Sequence, residues 1–297
     1  MASRFTVVGI GEALFDVFPD AAALGGAPLN MVVHAHALAQ RRGGRAVLVS
    51  RVGQDARGEE LLGGLRERGL DVSYIQSDPD RPTGEVFVTV DDAGQPTYEI
   101  APNAAWDNLQ FDPDLEDLAR HTDAVCFGTL AQRDAQSRNA VLRFLDAARR
   151  AVRLFDVNLR QTFFDAPMIR RSLEFATIAK LNEHELPRVC EMLALPPEPQ
   201  QLLKRYDLKM VALTRGARGT VLYTPAGVTE GEPVPADAVE GADSVGAGDA
   251  CAAGLLVGLS LRKPLRDVVT LANRCGAFVA GQAGATPKLP DRILDLV

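Results

Sequence analysis

The stretches AVRLFDVN (151–158) and FATIAKLN (175–182) are short apolar runs that end on polar residues. Strands with almost no polar alternation are covered on both faces, which is the pattern of a parallel sheet between layers of helices. AVCFGTL (124–130), KMVALTRG (209–216) and TVLYTP (220–225) repeat it, separated mostly by helical segments. Toward the N-terminus, strands are expected at 5–10 and 46–52, followed by a short one at 72–76. Helices are expected at 28–40, with a proline in the first turn, and at 58–68, closed by Gly69. Helices at 249–260 and 265–282 finish this βα alternation.

The segment TGEVFVTVDDAGQPTYEI (83–100) departs from the rhythm. It reads as two alternating strands around Asp91, Asp92, Ala93 and Gly94, with Val86, Val88 and Val90 on one side and Phe87 and Thr89 on the other. A hairpin inserted among βα units has the character of a lid, and its exposed face is able to pair two subunits. The expected fold is a Rossmann-like three-layer α/β/α sandwich over residues 1–297, with a mostly parallel central sheet and a small β lid from about 12–20 and 83–106. No internal repeat, low-complexity tract or long linker divides the chain.

Composition narrows the function. With 297 residues, 46% hydrophobic, the chain can bury a sizeable core. A net charge of -7 without a Lys/Arg run argues against nucleic acid or an anionic membrane and for a small-molecule partner. No apolar run approaches bilayer length, no leader pattern precedes the first strand, and Cys126, Cys190, Cys251 and Cys275 form no CxxC pair. These features fit a cytoplasmic protein with buried thiols. His34 and His36, two apart on a helix, face different sides and make a poor metal pair.

The chemistry concentrates in GADSVGAGDACAAG (241–254), where a loop meets an apolar helix. Gly246, Ala247 and Gly248 let the backbone approach a ligand, and N–H groups at a helix start suit an anionic oxygen. An acid beside bound phosphate is repelled by it, so Asp249 makes sense there as the acceptor of a proton from an attacking hydroxyl. In open α/β sheets ligands lie outside the carboxyl ends of the strands. Those ends carry Asp156, Asn158 and Arg160, then Lys180, Asn182 and Glu185, then Thr214, Gly216 and Gly219. The dinucleotide fingerprint fails, because position 14 is Leu and no helix opens there, and GK[ST] is absent.

From GIGEALFD through GGAPLN, VGQDARG, DVNLR, KLNEHE, TRGARG and DSVGAGD to GQAGA, the chain resembles the PfkB, or ribokinase-like, carbohydrate kinases. The resemblance implies phosphate transfer from ATP to a sugar hydroxyl, with Mg2+ and K+ as cofactors. It gives Asp249 as catalytic base, with the N–H groups of Gly246, Ala247 and Gly248 as anion hole and Arg160 as a clamp on substrate or phosphate. Asp16, Gly25, Gly26, Asn30 and Tyr98 are the expected sugar contacts. Lys180, Thr214, Gly216, Gly219 and Asn273 are expected at the nucleotide. Asn182 and Glu185 match the NxxE motif, whose acid organises Mg2+ through water, and Asp243 matches a residue beside a monovalent cation.

GGAPLN, DVNLR and the GEALFD opening look most like fructokinases and 2-keto-3-deoxygluconate kinases. A sugar acid needs a cation for its carboxylate, and the lid has no basic residue from Tyr98 through Trp106. A neutral sugar, fructose first, is therefore expected, although Arg133 is a cation that could reach in. Ribose or nucleoside kinase, and a noncatalytic sugar- or nucleotide-binding regulator, remain the alternatives. Ser244 and Val245 stand for the commonest Thr residues of the signature and Cys251 for a frequent aromatic; none removes a proposed catalytic group.

Overall fold

A computed structural model describes residues 5–90 and 96–297 of the chain. It opens with β1 (Thr6–Ile10), β2 (Leu14–Phe18), β3 (Ala21–Gly25), α1 (Ala27–Gln40), β4 (Arg45–Gly53), α2 (Ala56–Glu67) and β5 (Ile75–Asp78). There follow β6 (Gly84–Val90), β7 (Pro96–Ile100), α3 (Pro113–Arg120), β8 (Ala124–Phe127), α4 (Ala135–Ala147), β9 (Val152–Asp156), α5 (Ala166–Phe175), β10 (Ile178–Asn182), α6 (Glu185–Met192) and α7 (Pro199–Tyr206). The chain ends with β11 (Met210–Thr214), β12 (Thr220–Thr224), β13 (Gly227–Glu230), α8 (Ala247–Ser260), α9 (Leu265–Ala280) and α10 (Asp291–Leu294).

Among the described residues, one sheet has nine strands in the order β13-β12-β11-β10-β9-β8-β1-β4-β5. Its pairs are parallel from β5 across to β11, and β12 and β13 close one edge antiparallel. Alternate side chains enter separate cores. Val7 and Cys126 pack on one face with Leu29, Leu61, Leu256 and Val279 from α1, α2, α8 and α9, whereas Val8 and Val125 pack on the other with Leu118, Phe144, Ile169, Val189 and Leu202 from α3 to α7. This is the three-layer sandwich that the apolar strands imply. Helix α8 is buried nearly all round, and Gly254 permits its close crossing with α9, since a Cβ there would lie 2.7 Å from the Ala272 Cα.

The small sheet has the order β3-β2-β6-β7. Its parallel β2–β6 register aligns Asp16 with Val86, and β6–β7 aligns Val86 with Ile100, so these share one face, while Val17, Phe87 and Glu99 share the other. Val86 and Val88 are buried and Phe87 is 41% exposed, so the exposed side of β6 is that of Phe87 and Thr89. The expected hairpin residues Asp91, Asp92, Ala93 and Gly94 lie outside the described residues.

Several boundaries differ from expectation for local reasons. Phe175 closes α5 instead of opening a strand, and Asn158 leaves the sheet with φ +40° after β9 has ended at Asp156. The strand expected at 72–76 pairs three residues later, as β5. Residues 21–25, beyond the expected lid segment 12–20, form β3, and the edge strand β13 had no apolar signal to announce it.

Candidate active site

The carboxyl ends of β9 and β10 meet the N-terminus of α8 through Asp156 and Lys180, and α1 reaches it through Asn30. Gly246, the residue before that helix, has φ +77°, and a Cβ on it would lie 2.4 Å from the Ala285 carbonyl oxygen. Glycine is thus required both for the turn and for contact with the segment behind it. No side chain caps α8; the Ala247 N–H donates to the Ser244 carbonyl at 3.3 Å, and the Gly248 N–H stays open to an anion.

Asp249, in that first turn, is 6% exposed. The Asn30 Nδ2 on α1 donates to its Oδ2 at 2.9 Å, leaving Oδ1 for another partner. Burial, and then the nearby Asp156 carboxylate, push its pKa up to about 6, against the Asn30 hydrogen bond, Lys180 and Arg160. A buried carboxyl beside an uncapped helix start and poised near neutrality is suited to proton abstraction.

Sheet register builds the support beneath it. Asp156 and Lys180 are direct neighbours across β9 and β10, and the Lys180 Nζ donates to both Asp156 oxygens at 2.8 and 3.0 Å. Burial disfavours the Lys180 charge, but the Asp156 carboxylate outweighs it and raises the lysine pKa overall. A Cβ on Gly248 would stand 3.5 Å from this ammonium, so Lys180 lies under the α8 loop. Its side chain is 4% exposed.

On the other side of the cleft, Asp16 faces Gly25, where a Cβ would approach its Oδ2 to 2.5 Å. Burial raises the Asp16 pKa and Arg160 opposes the rise. The Arg160 guanidinium makes no hydrogen bond or ion pair among the described residues. Tyr98 is exposed on the small sheet, its carbonyl accepting from the Gln161 amide at 2.7 Å. Arg133, by contrast, is committed. It forms a two-pronged pair with Asp107 at 2.8 Å, donates to the Ala101 carbonyl at 2.7 Å, and lies 4.0 Å over the Trp106 ring.

The remaining expected residues lie along β10, β11 and the segments around α8 and α9. Asn182 and Glu185 brace each other: the Asn182 Oδ1 accepts from the Glu185 N–H at 2.9 Å, and Glu185 accepts from the N–H groups of Asn182 at 2.8 Å and Leu159 at 3.1 Å. Each Glu185 oxygen keeps a lone pair, which fits a metal-bound water. Thr214 ends β11 next to Asn182, and Gly216 and Gly219 follow with positive φ. Asn273 donates to the Glu232 carbonyl at 3.0 Å, close under Gly219 and Gly231. Asp243 accepts from Val245 at 2.9 Å and Gly284 at 3.2 Å, tying the loop before α8 to the segment after α9.

One buried acid escaped the sequence reading. Glu12, between β1 and β2, is 4% exposed and lines a small cavity with Asp156, Asn158 and Arg160. Its position just upstream of Asp16 was the only signal.

Comparison with known proteins gives the same picture. The chain is 29% identical to the fructokinase of Escherichia coli over 95% of both chains. The fructokinase double mutant of Vibrio cholerae O395 in fructose-, ADP- and potassium-bound form matches with a TM-score of 0.81 at 26% identity, covering 100% of this chain and 99% of that one. Salmonella enterica aminoimidazole riboside kinase, complexed with its riboside and an ATP analogue, matches with a TM-score of 0.79 at 26% identity, over 98% and 99%. The family model for pfkB family carbohydrate kinases covers residues 21–292, and with the sandwich, the small sheet and the α8 cleft in place the chain belongs to that family.

Proposed function

We propose that this protein transfers the terminal phosphate of ATP to a hydroxyl of a neutral sugar, with fructose the first candidate. The observation that carries the reading is Asp249, a buried carboxyl with a raised pKa of about 6 beside an uncapped helix start. Asn30 fixes Oδ2, so Oδ1 takes the proton of the attacking hydroxyl. The N–H groups of Gly246, Ala247 and Gly248 receive the developing phosphate charge, and Arg160 clamps it. Lys180, paired with Asp156 beneath the α8 loop, stands with the residues at the nucleotide.

Mg2+, when bound, neutralises charge on the transferring phosphate, and Glu185, braced by Asn182, would hold it through water. Asp243 stands beside the K+ position, while Thr214, Gly216, Gly219 and Asn273 border the nucleotide. Asp16, Gly25, Gly26, Asn30 and Tyr98 form the sugar side. Among the described residues, commitment of Arg133 to Asp107 removes it as a partner for a sugar acid, which supports a neutral substrate.

The whole chain works as a single kinase domain, with the small sheet as a lid that excludes water. Outward-facing Phe87 supports pairing of two copies through that lid. A Phe87→Lys variant is then expected to sediment at half the mass of the parent; a monomeric parent rejects the pairing. Buried free cysteines and dependence on ATP are in keeping with the cytoplasm.

The test is ADP release with ATP, Mg2+ and K+ across fructose, ribose, adenosine, 2-keto-3-deoxygluconate and no sugar. Fructose-dependent release supports the reading. Release with another acceptor keeps the chemistry and changes the substrate, and silence with all of them favours a binding protein.

A further inference from the structure

No reading of the sequence assigns Glu12 a role, yet it lies at the centre of the cleft. Its carbonyl meets the start of α1, since a Cβ on Gly26 would come within 2.6 Å of it. Its carboxyl is sealed from solvent, and its Oε2 has no hydrogen-bond partner. Asn158 lines the same cavity, its Nδ2 also buried without a partner. The Asn158 backbone is held at φ +40°, with its carbonyl accepting from the Thr129 hydroxyl at 2.9 Å. Arg160, the third polar group of the cavity wall, is likewise uncommitted among the described residues. The cavity is about 10 Å³, room for roughly one water.

A buried carboxylate beside two free donors would draw them in, because an ionised acceptor makes the stronger hydrogen bonds. Here the acceptor and both donors stay apart, which is the arrangement of a neutral acid. We propose that Glu12 is a positioning residue for Arg160: as the neutral acid it leaves the guanidinium in the cleft for the transferred phosphate, and as the carboxylate it withdraws that cation onto its free oxygen.

The proposal rests on the kinase reading above. The groups facing Glu12 from neighbouring elements are Cys126 on β8, Asp156, Asn158 and Arg160 on and after β9, and Asp249 on α8, with Lys180 on β10 neutralising Asp156. Burial raises the Glu12 pKa to about 7 and Asp249 adds to it, while the N–H groups of Glu12 and Ala27 and the Arg160 charge oppose. A bound polyphosphate competes for Arg160 and repels a second anion, so nucleotide binding favours the proton on Glu12. By reciprocity, a more alkaline solution weakens that binding.

The test uses the full chain. Calorimetric titration of ATP with Mg2+ at pH 8, in two buffers of different ionisation enthalpy, should show net proton uptake on binding. For the best sugar, kcat/KM should fall about tenfold per pH unit on an alkaline limb at or above pH 7. Glu12→Gln is expected to abolish both the uptake and that limb while the acid limb remains. Asn158→Gly, which suits a positive φ and removes one donor, should move the limb to higher pH. Unchanged uptake and an unmoved limb in either folded variant overturn the proposal while leaving a kinase. A parent that turns over no sugar but binds nucleotide is still decided by its proton uptake, and a parent that does neither removes both readings.

Discussion

Asp249 has a measurable signature whatever sugar it serves. Replacing it with Asn or Ala is expected to lower kcat about 100-fold to 10,000-fold with nucleotide affinity retained. Near-parental turnover would reject the base role. The base must be ionised, and its pKa is raised from 3.8 to about 6 by burial, so kcat/KM should fall about tenfold per unit as pH drops below 6. Because kcat/KM reports groups of the free enzyme, an acid limb near 4 would show that burial does not raise the Asp249 pKa. Asp249 was legible in the sequence because its meaning is local, the acid and its anion-binding glycines being contiguous. Glu12 was not, since its significance comes from neighbours near positions 27, 158 and 249 that only the fold assembles. Lys180 lies between these cases: the end of an apolar strand marked it as polar, but only the register with Asp156 shows that its charge is spent below the loop.

At the scale of elements, the start of α8 and the brace on α6 each predict a separable loss. Gly246→Ala places a methyl against the Ala285 carbonyl in a backbone conformation costly for L-residues, so a loss of about 1–3 kcal/mol is expected. For a chain of this size that is a fall of about 2–4 °C in Tm per kcal/mol, accompanied by a higher KM for ATP. Parental values of both would show that the turn tolerates the change. Glu185→Gln removes the charge and keeps one of the two acceptors, because Leu159 and Asn182 donate to different carboxylate oxygens, so the Mg2+ requirement should rise about tenfold while stability falls by about one hydrogen bond, roughly 1 kcal/mol. A large Tm loss with unaltered Mg2+ dependence would make Glu185 a structural cap alone. The short apolar strands and the buried α8 could be read in advance because burial on all sides leaves a continuous signal. The short β3 could not, since AAALG owes its strand state to pairing with β2.

For the whole molecule, the layer arrangement followed from the strands, but strand order and the way the C-terminal segment returns to α1 did not. That return has a consequence for stability. His34, 1% exposed on α1, holds the Ala285 carbonyl at 3.0 Å, and Ala285 backs Gly246 of the α8 loop. Burial lowers the His34 pKa from 6.5 to about 4, Arg68 adding to the fall and the Ala285 carbonyl resisting it. A folded-state pKa below the unfolded one means that the unfolded chain binds more protons between those values. The stabilisation is therefore complete above about pH 6.5 and lost as pH falls toward 4, a change of about 3 kcal/mol. Glu12 and Asp249 act oppositely, because their raised pKa values favour the folded state at low pH and lose that contribution as pH rises through about 6 to 7. His34→Gln, which keeps a donor but does not titrate, should gain up to that amount of unfolding free energy relative to the parent as pH goes from 6.5 to 4.5. Urea unfolding at several pH values measures it, and an equally steep fall in the variant would assign the acid sensitivity to other groups. The His34 contribution and Asp249 ionisation are lost over the same pH range, and the His34 variant separates them: at pH 5 it should unfold at higher urea than the parent while remaining as slow.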